Sequence, residues 1–392
     1  MKHPFQLLIS TDTHLFGALQ NEILVYNLET GSLLGSWADT QKSQHINDQH
    51  IRKTGKILTA KQKILNHIKC LDITKDQKYL IASTDSDKSI LAFQLDFDSF
   101  DCLGLYKRQP MPKRPSSITT LDKDVIVADK FGDVYIVPID LEDPTQEKDF
   151  HPITGHVSML TDILITNHNN KNFLITSDRD EHIRISNFPK SYVIRNFLLN
   201  HENYISCLNL LEDTSYLISG GGDDYIILWD WVKGEKITSF DLKEVIEPHL
   251  NDNHLVPEKF RNNDTDKEMN ISQIQSIKIN GKYYILVLVE RTSCLIVLEF
   301  NGQDEIKLKQ ILETSSPIIT FTISQNSVIL SLESETNVLE IYKFNNEQNL
   351  IKDESKSEII EYIESRIPIE VNNIKEFADL YPISALRKRS EH

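Results

Sequence analysis

Positive charge is what this sequence has too little of. Lysine and arginine number 42 against 58 aspartates and glutamates, a formal net charge of −16. The chain as a whole therefore repels nucleic-acid phosphates, and work near RNA or DNA needs positive charge from elsewhere. Long apolar runs are missing too. No stretch of about 18 apolar residues offers a membrane-spanning helix, and the opening MKHPFQLLIS is too short and broken to read as a secretory signal. Cysteine is scarce and scattered: Cys70, Cys102, Cys207 and Cys294 form no CxxC pair and read as reduced thiols of a cytosolic or nuclear protein. The marks of catalysis are absent as well. There is no GxSxG and no HExxH. The glycine run Gly220-Gly221-Gly222-Asp223 lacks both a following Lys-Ser/Thr and a GxGxxG frame. Asp178, Asp180, Glu181 and His182 crowd together, but no second histidine stands four residues on to complete a helical ligand pair. Neither a metal, a cofactor nor an active site is expected on this chain. With 40% hydrophobic residues, it still has the means to build a large core.

What is present is a repeat. A tight-turn signature followed by a β-prone apolar run recurs at Asp87 (DSDKSILAF), Gly132 (KFGDVYIV), Asp180 (DRDEHIRIS) and Asp223 (GGDDYIILW), 43 to 48 residues apart. That period, with short strands in each unit, predicts an all-β fold, a WD40-type β-propeller of four-stranded antiparallel blades. Four residues before each turn centre stand the small residues Ser83, Ala128, Thr176 and Ser219, and His67, His156 and His201 precede their turns by 20 to 24 residues. In the most regular unit His201, Ser219, Asp223 and Trp229 have the offsets of a buried hydrogen-bond chain tying one blade's strands together. His156, Thr176 and Asp180 are its counterparts one unit earlier. Losing a member strands its buried neighbours, at about 1–3 kcal/mol for each group left unpaired.

Further strand pairs at both ends bring the count to seven blades, near residues 5–37, 64–108, 114–153, 155–199, 200–240, 270–312 and 316–350. The propeller thus takes residues 1–350, and the charged segment 351–392 is expected to pack back on the ring. Two gaps interrupt the period. Residues 38–63 carry six Lys/Arg against two Asp and read as a solvated flexible loop, with contact to nucleic acid as the alternative. Residues 241–270 include DLKEVIEPHL, the pattern of a short amphipathic helix stopped by Asn251-Asp252-Asn253. Arg387-Lys388-Arg389 reads as a solvated end, with a weak nuclear address as the other reading.

The copies differ in one telling place. Four residues past the turn centre stand Leu91, Ile136 and Ile227, but in the fourth copy Arg184, and the tryptophan position of that copy is Ser186. An arginine in a strand packed between neighbours needs either an internal carboxylate or an external partner. Arginine is favoured as an interface anchor, which marks this blade as a docking site.

At the same residues the chain resembles a known family. ADKFGDVY (Ala128 to Tyr135), GHVSMLTD (Gly155 to Asp162) and SDRDEHIRIS (Ser177 to Ser186) are similar to the WD-repeat, non-catalytic subunit of the eukaryotic tRNA (guanine-N7)-methyltransferase in its fungal form. STDSDKSILAF (Ser83 to Phe93), GGDD (Gly221 to Asp224), HLNDNHLVP (His249 to Pro257) and LYPISALRK (Leu380 to Lys388) extend the likeness over nearly the whole chain. The resemblance implies a nuclear, and in part cytoplasmic, non-catalytic propeller in a heterodimer. Its partner is a separate S-adenosylmethionine-dependent catalytic subunit, which methylates N7 of guanine 46 in tRNA and binds the tRNA. It also implies that Arg184 anchors that subunit, with Lys130, Arg179 and His182 as further contacts. The alternative is a general WD-repeat scaffold or substrate adaptor of a ubiquitin-ligase or chromatin complex, which grips its ligand over the central channel.

Overall fold

Strands that are apolar on both faces need cover on both faces, and this chain has several. Tyr283–Val289 (YYILVLV) is a run of seven buried residues, too apolar for a one-sided sheet. A ring of sheets stacked face to face supplies that cover. A computed structural model describes residues 1–59, 62–141, 143–261, 266–377 and 379–389, and within them seven four-stranded antiparallel sheets follow one another in chain order.

Blade one is β1 (Leu7–Ser10), β2 (His14–Leu19), β3 (Glu22–Asn27) and β4 (Leu33–Ala38). Blade two is β5 (Ile68–Ile73), β6 (Tyr79–Thr84), β7 (Ser89–Leu95) and β8 (Leu103–Pro110). Blade three is β9 (Pro115–Leu121), β10 (Asp124–Asp129), β11 (Asp133–Pro138) and the short β12 (Thr154–Gly155). Blade four is β13 (Leu160–His168), β14 (Lys171–Asp178), β15 (Ile183–Phe188) and β16 (Ile194–Leu198). Blade five is β17 (Ile205–Leu210), β18 (Tyr216–Gly221), β19 (Tyr225–Asp230) and β20 (Glu235–Asp241). Blade six is β21 (Ile271–Ile279), β22 (Lys282–Val289), β23 (Cys294–Phe300) and β24 (Ile306–Glu313). Blade seven is β25 (Ile318–Ser324), β26 (Ser327–Leu332), β27 (Leu339–Phe344) and β28 (Leu350–Lys352).

The core lies between neighbouring blades. Ile183 and Ile185 of blade four, for instance, pack with Ile205, Ile227 and Trp229 of blade five. Around the channel the first strands are laced by side chains. Asp162 accepts from Ser117 of blade three (2.9 Å) and from the Leu208 N–H of blade five (2.8 Å). Gln273 ties β21 to the Phe321 backbone of blade seven, and Ser10 meets Thr322 across the closing gap at 2.9 Å. Closure is completed outside the blades. The Met1–His3 segment pairs with 369–371 through the Lys2↔Glu370 bridge and the His3 N–H to Ile369 carbonyl bond. Outside the blades the chain forms helices α1 (Thr40–Thr54), α2 (Lys243–Ile246) and α3 (Ser357–Ser365), and α3 seats Ile360 and Ile363 in the core shared by blades one and seven.

Two expectations for the gaps meet different outcomes. Most of 38–63 is not a loop: α1 occupies it, capped by the Asp39 carboxylate on the Lys42 N–H and ended by Gly55 at φ +67°. Residues 60 and 61 of that stretch lie outside the described residues. The other gap does contain a helix, α2, continued as a 3-10 turn to His249, with Ile246 buried beneath it.

In an antiparallel meander, the turn after a blade's second strand and the connection into the next blade open on one face. Leu380–Arg389 lies on that face. Tyr381 donates to Glu333 of blade seven, and the Ile383 and Ser384 N–H groups donate to Glu290 of blade six at 2.6 and 2.9 Å. Arg387 donates to the Gly222 and Met269 carbonyls. The segment reaches blade four through Lys388, which pairs with Asp180. Arg389 pairs with Glu268, so the terminal basic triplet is held in ion pairs and is not a free solvated end.

Candidate interaction site at blades three and four

In blade five the buried chain runs as its offsets suggest. The Trp229 Nε1–H donates to Ser219 Oγ (2.8 Å), Ser219 meets His201 Nε2 (2.7 Å), and His201 Nδ1 meets Asp223 (2.6 Å). The Asp223 carboxylate can only accept, so Nδ1 of His201 carries the proton that faces it, and Nε2 of the neutral ring accepts from the Ser219 hydroxyl.

Blade four departs from this, and one expected member is corrected. His156 bonds Thr176 Oγ1 and a carboxylate, both at 2.8 Å, but the carboxylate is Asp178, not Asp180. Asp178 ends β14, and its other oxygen accepts the backbone N–H groups of Asp180 and His182 as the turn closes over it. Burial pushes Asp178 up, and the bonds from His156 and those two N–H groups outweigh it and hold the carboxyl below its ordinary range. Asp180 is carried outward, where it accepts from Ser158 and pairs with Lys388. With Ser186 at the tryptophan position, the chain stops at Thr176.

Opposite Thr176 on the next strand stands Arg184, with Phe197 of β16 on its other side. The guanidinium donates to the Gly155 carbonyl (2.8 Å) and lies 5.6 Å from the Phe197 ring centre. Its Nε is buried without a partner, and among the described residues it forms no ion pair. Half-buried, Arg184 has its pKa lowered by desolvation, with Asp178 the one charge acting the other way. Among the described residues no carboxylate comes within ion-pair distance of this cation.

The surface around it is apolar. Val157, two residues past the carbonyl that holds Arg184, is fully exposed; Phe131 is 65% exposed, and Phe197 and Leu199 are 45% and 56% exposed. Tyr192 and Ile194 lie open on the same outer strand region. Phe131 sits in a turn that only glycine completes: Gly132 has φ +99°, and a Cβ there would stand 2.4 Å from the His156 carbonyl. That approach brings the blade-three turn against Gly155–Ser158, beside Arg184.

Of the four residues expected to contact a partner, Lys130 and His182 are exposed on these two turns, His182 within 3.5 Å of Asp178. Arg179 is diverted: its Nε donates to the Leu386 carbonyl at 2.6 Å, so it holds the C-terminal segment. Phe131, Val157, Phe197 and Leu199 were not singled out from sequence. The available signals were an aromatic inside a tight turn and outward apolar positions on an edge strand, where polar residues are usual. The strand pairing also corrects the repeat alignment in blade three. Tyr135, not Ile136, stands at the Arg184 position, packed towards blade two.

The sequence profile described as the tRNA methyltransferase TRM82 WD40 domain matches residues 15–151 and 141–354. The chain is 37% identical to the tRNA (guanine-N(7)-)-methyltransferase non-catalytic subunit TRM82 of Debaryomyces hansenii and 38% identical to that of Meyerozyma guilliermondii, covering 100% of both chains in each case. The Saccharomyces cerevisiae protein of that name is 36% identical over 84% of this chain and 77% of its own. Among solved structures, U3-55K superposes with a TM-score of 0.61 at 17% identity, over 85% of this chain and 90% of the other. The RRP9 WD40 repeats superpose with a TM-score of 0.60 at 17% identity, over 85% and 89%. At that identity the likeness speaks for the fold alone.

Proposed function

The chain belongs to the family of tRNA (guanine-N(7)-)-methyltransferase non-catalytic subunits, and from that membership we propose that it holds its catalytic subunit at the junction of blades three and four. The observation that carries this reading is Arg184, a guanidinium with no ion pair among the described residues, set among exposed Phe131, Val157 and Phe197. A carboxylate from the partner would take the remaining donors in a fork that lysine cannot reproduce. The apolar ring around it would exclude water from that pair, as the surroundings of interface anchors do. Lys130 and His182 flank the anchor.

In this reading S-adenosylmethionine binds the partner, which methylates guanine 46 and carries most of the tRNA-binding charge. The propeller acts by keeping the partner's loops in their active arrangement. An adaptor gripping a peptide over the channel is less well supported, since Leu380–Arg389 already lies on the face that such a ligand uses. Arg184→Glu is expected to abolish co-purification with the catalytic subunit while leaving circular dichroism and thermal melting unchanged. Wild-type affinity in that variant would refute the docking site.

A further inference from the structure

In a chain of net charge −16, a pocket lined by two cations and no carboxylate is not background. Such a pocket, of about 260 Å³, lies between blades four and five. The turn joining β13 to β14 and the turn joining β19 to β20 both border it. Turns after a blade's first and third strands open on the face opposite the turn after its second. The pocket therefore lies on the face away from Leu380–Arg389. Lys171, where β14 begins, and Arg195, on β16, are exposed and form no ion pair among the described residues.

The walls are built in advance. Asn196 of β16 donates from its side-chain amide to the Trp231 and Val232 carbonyls, both at 3.2 Å. That ties the outer strand of blade four to the turn of blade five. Gly234 permits the approach: it has φ +76°, and a Cβ there would stand 2.8 Å from Asn196 Cγ. The inner wall is aromatic. Trp231 packs with Phe173 at 5.4 Å and stands nearly perpendicular to His168 at 5.8 Å between ring centres. Its Nε1–H is buried with no acceptor among the described residues, whereas a buried indole usually finds one.

We infer that this pocket binds an acidic peptide segment: one bulky apolar side chain seats against Trp231, and flanking carboxylates lie on Lys171 and Arg195. Size and charge select that class. A volume of about 260 Å³ falls below the roughly 300–1,000 Å³ of small-ligand pockets and suits one or two side chains of a longer chain. Two unpaired cations at the rim complement carboxylates, and Arg195 offers a planar fork to one of them. The buried indole N–H is a donor that a carbonyl of the incoming chain would satisfy. The inference stands apart from the docking reading, because the pocket shares no lining residue with the surface around Arg184.

The chain is titrated with two fluorescein-labelled octapeptides, one with a single phenylalanine among aspartates, the other with a single leucine, and binding is read by fluorescence anisotropy. At least one should bind saturably. Exchanging its apolar residue for alanine, or its aspartates for asparagines, should weaken binding roughly tenfold or more. Lys171→Glu with Arg195→Glu, both at exposed positions, should do the same and leave circular dichroism and melting unchanged. Arg184→Glu should bind the peptide as wild type does. The chain has only Trp37, Trp229 and Trp231 as tryptophans, so the peptide should move one indole N–H signal in the NMR spectrum, the one missing in Trp231→Phe. No saturable binding of either peptide, or equal binding by the charge-reversed chain, overturns the inference. Binding lost in Arg184→Glu overturns it too, because the peptide would then sit on the docking surface. A uridine oligonucleotide that displaces the peptide and binds more tightly would make the pocket a nucleic-acid site, and the inference would fall.

Discussion

At the scale of single residues, the contrast between Asp178 and Asp180 separates a structural carboxylate from a surface one. Removing Asp178 leaves His156 Nδ1 and two backbone N–H groups without their acceptor, so Asp178→Ala should cost about 3 kcal/mol. Asp180 is 41% exposed and pairs with a lysine that is 53% exposed, so Asp180→Ala should cost less than about 1 kcal/mol. Chemical unfolding of the two variants measures the difference, and equal losses would contradict the assignment. The same pair shows where sequence reading stops. Aligning the apolar runs of blades four and five sets Asp180 opposite Asp223, which is correct for the strands. The carboxylate that reaches the histidine comes from the start of one turn and from the end of the other. Backbone path, not residue type, decides that. Arg184 by contrast was legible, because a cation replacing Leu91 and Ile227 in an inner strand breaks the pattern in one dimension.

At the scale of elements, strands and turns announced themselves through apolar alternation and punctuation, while α1 did not. A helix with one buried residue has no apolar stripe to detect. It is held instead by its Asp39 cap, by Gly55, and by Asn47, which bonds the Ile64 backbone from both ends of its amide. The segment Leu380–Arg389 was equally opaque, since its partners lie roughly 50 to 210 residues away in sequence. Its hold on the ring depends on Glu290, which accepts two of its N–H groups. Burial pushes the Glu290 carboxyl up to about 7, against those N–H groups and Arg291, which hold it down. A carboxyl raised above its unfolded value binds protons more tightly when folded. Its contribution to stability is therefore present at low pH and is lost as pH rises from about 4.5 to 7. Glu290→Gln should remove that component: the melting temperature of wild type minus variant should fall over this window. A difference that stays flat with pH would contradict the assignment.

At the scale of the whole molecule, each blade is built from four consecutive strands, so among the described residues no strand crosses the closing gap to bind the last blade to the first. Closure rests on packing and side-chain hydrogen bonds between blades one and seven, such as Ser10 with Thr322 and Ser331 with the Phe5 carbonyl, on α3, and on the pairing of residues 1–3 with 369–371. A chain ending at Ser365 loses that pairing, the buried Ile367 and the whole C-terminal segment. Its melting temperature should fall by about 5–10 °C, and proteolysis should begin at blades one and seven. A truncated chain as stable as the intact one would show that the blade contacts alone suffice.

The order in which these parts leave the ribosome gives the clasp a further meaning. Blades three and four are complete at Leu198, whereas the clasp waits for Val371, some 170 residues later. At 5–20 residues per second that interval is about 9–35 s. For that time the nascent chain offers the Arg184 surface while its own ring still stands open.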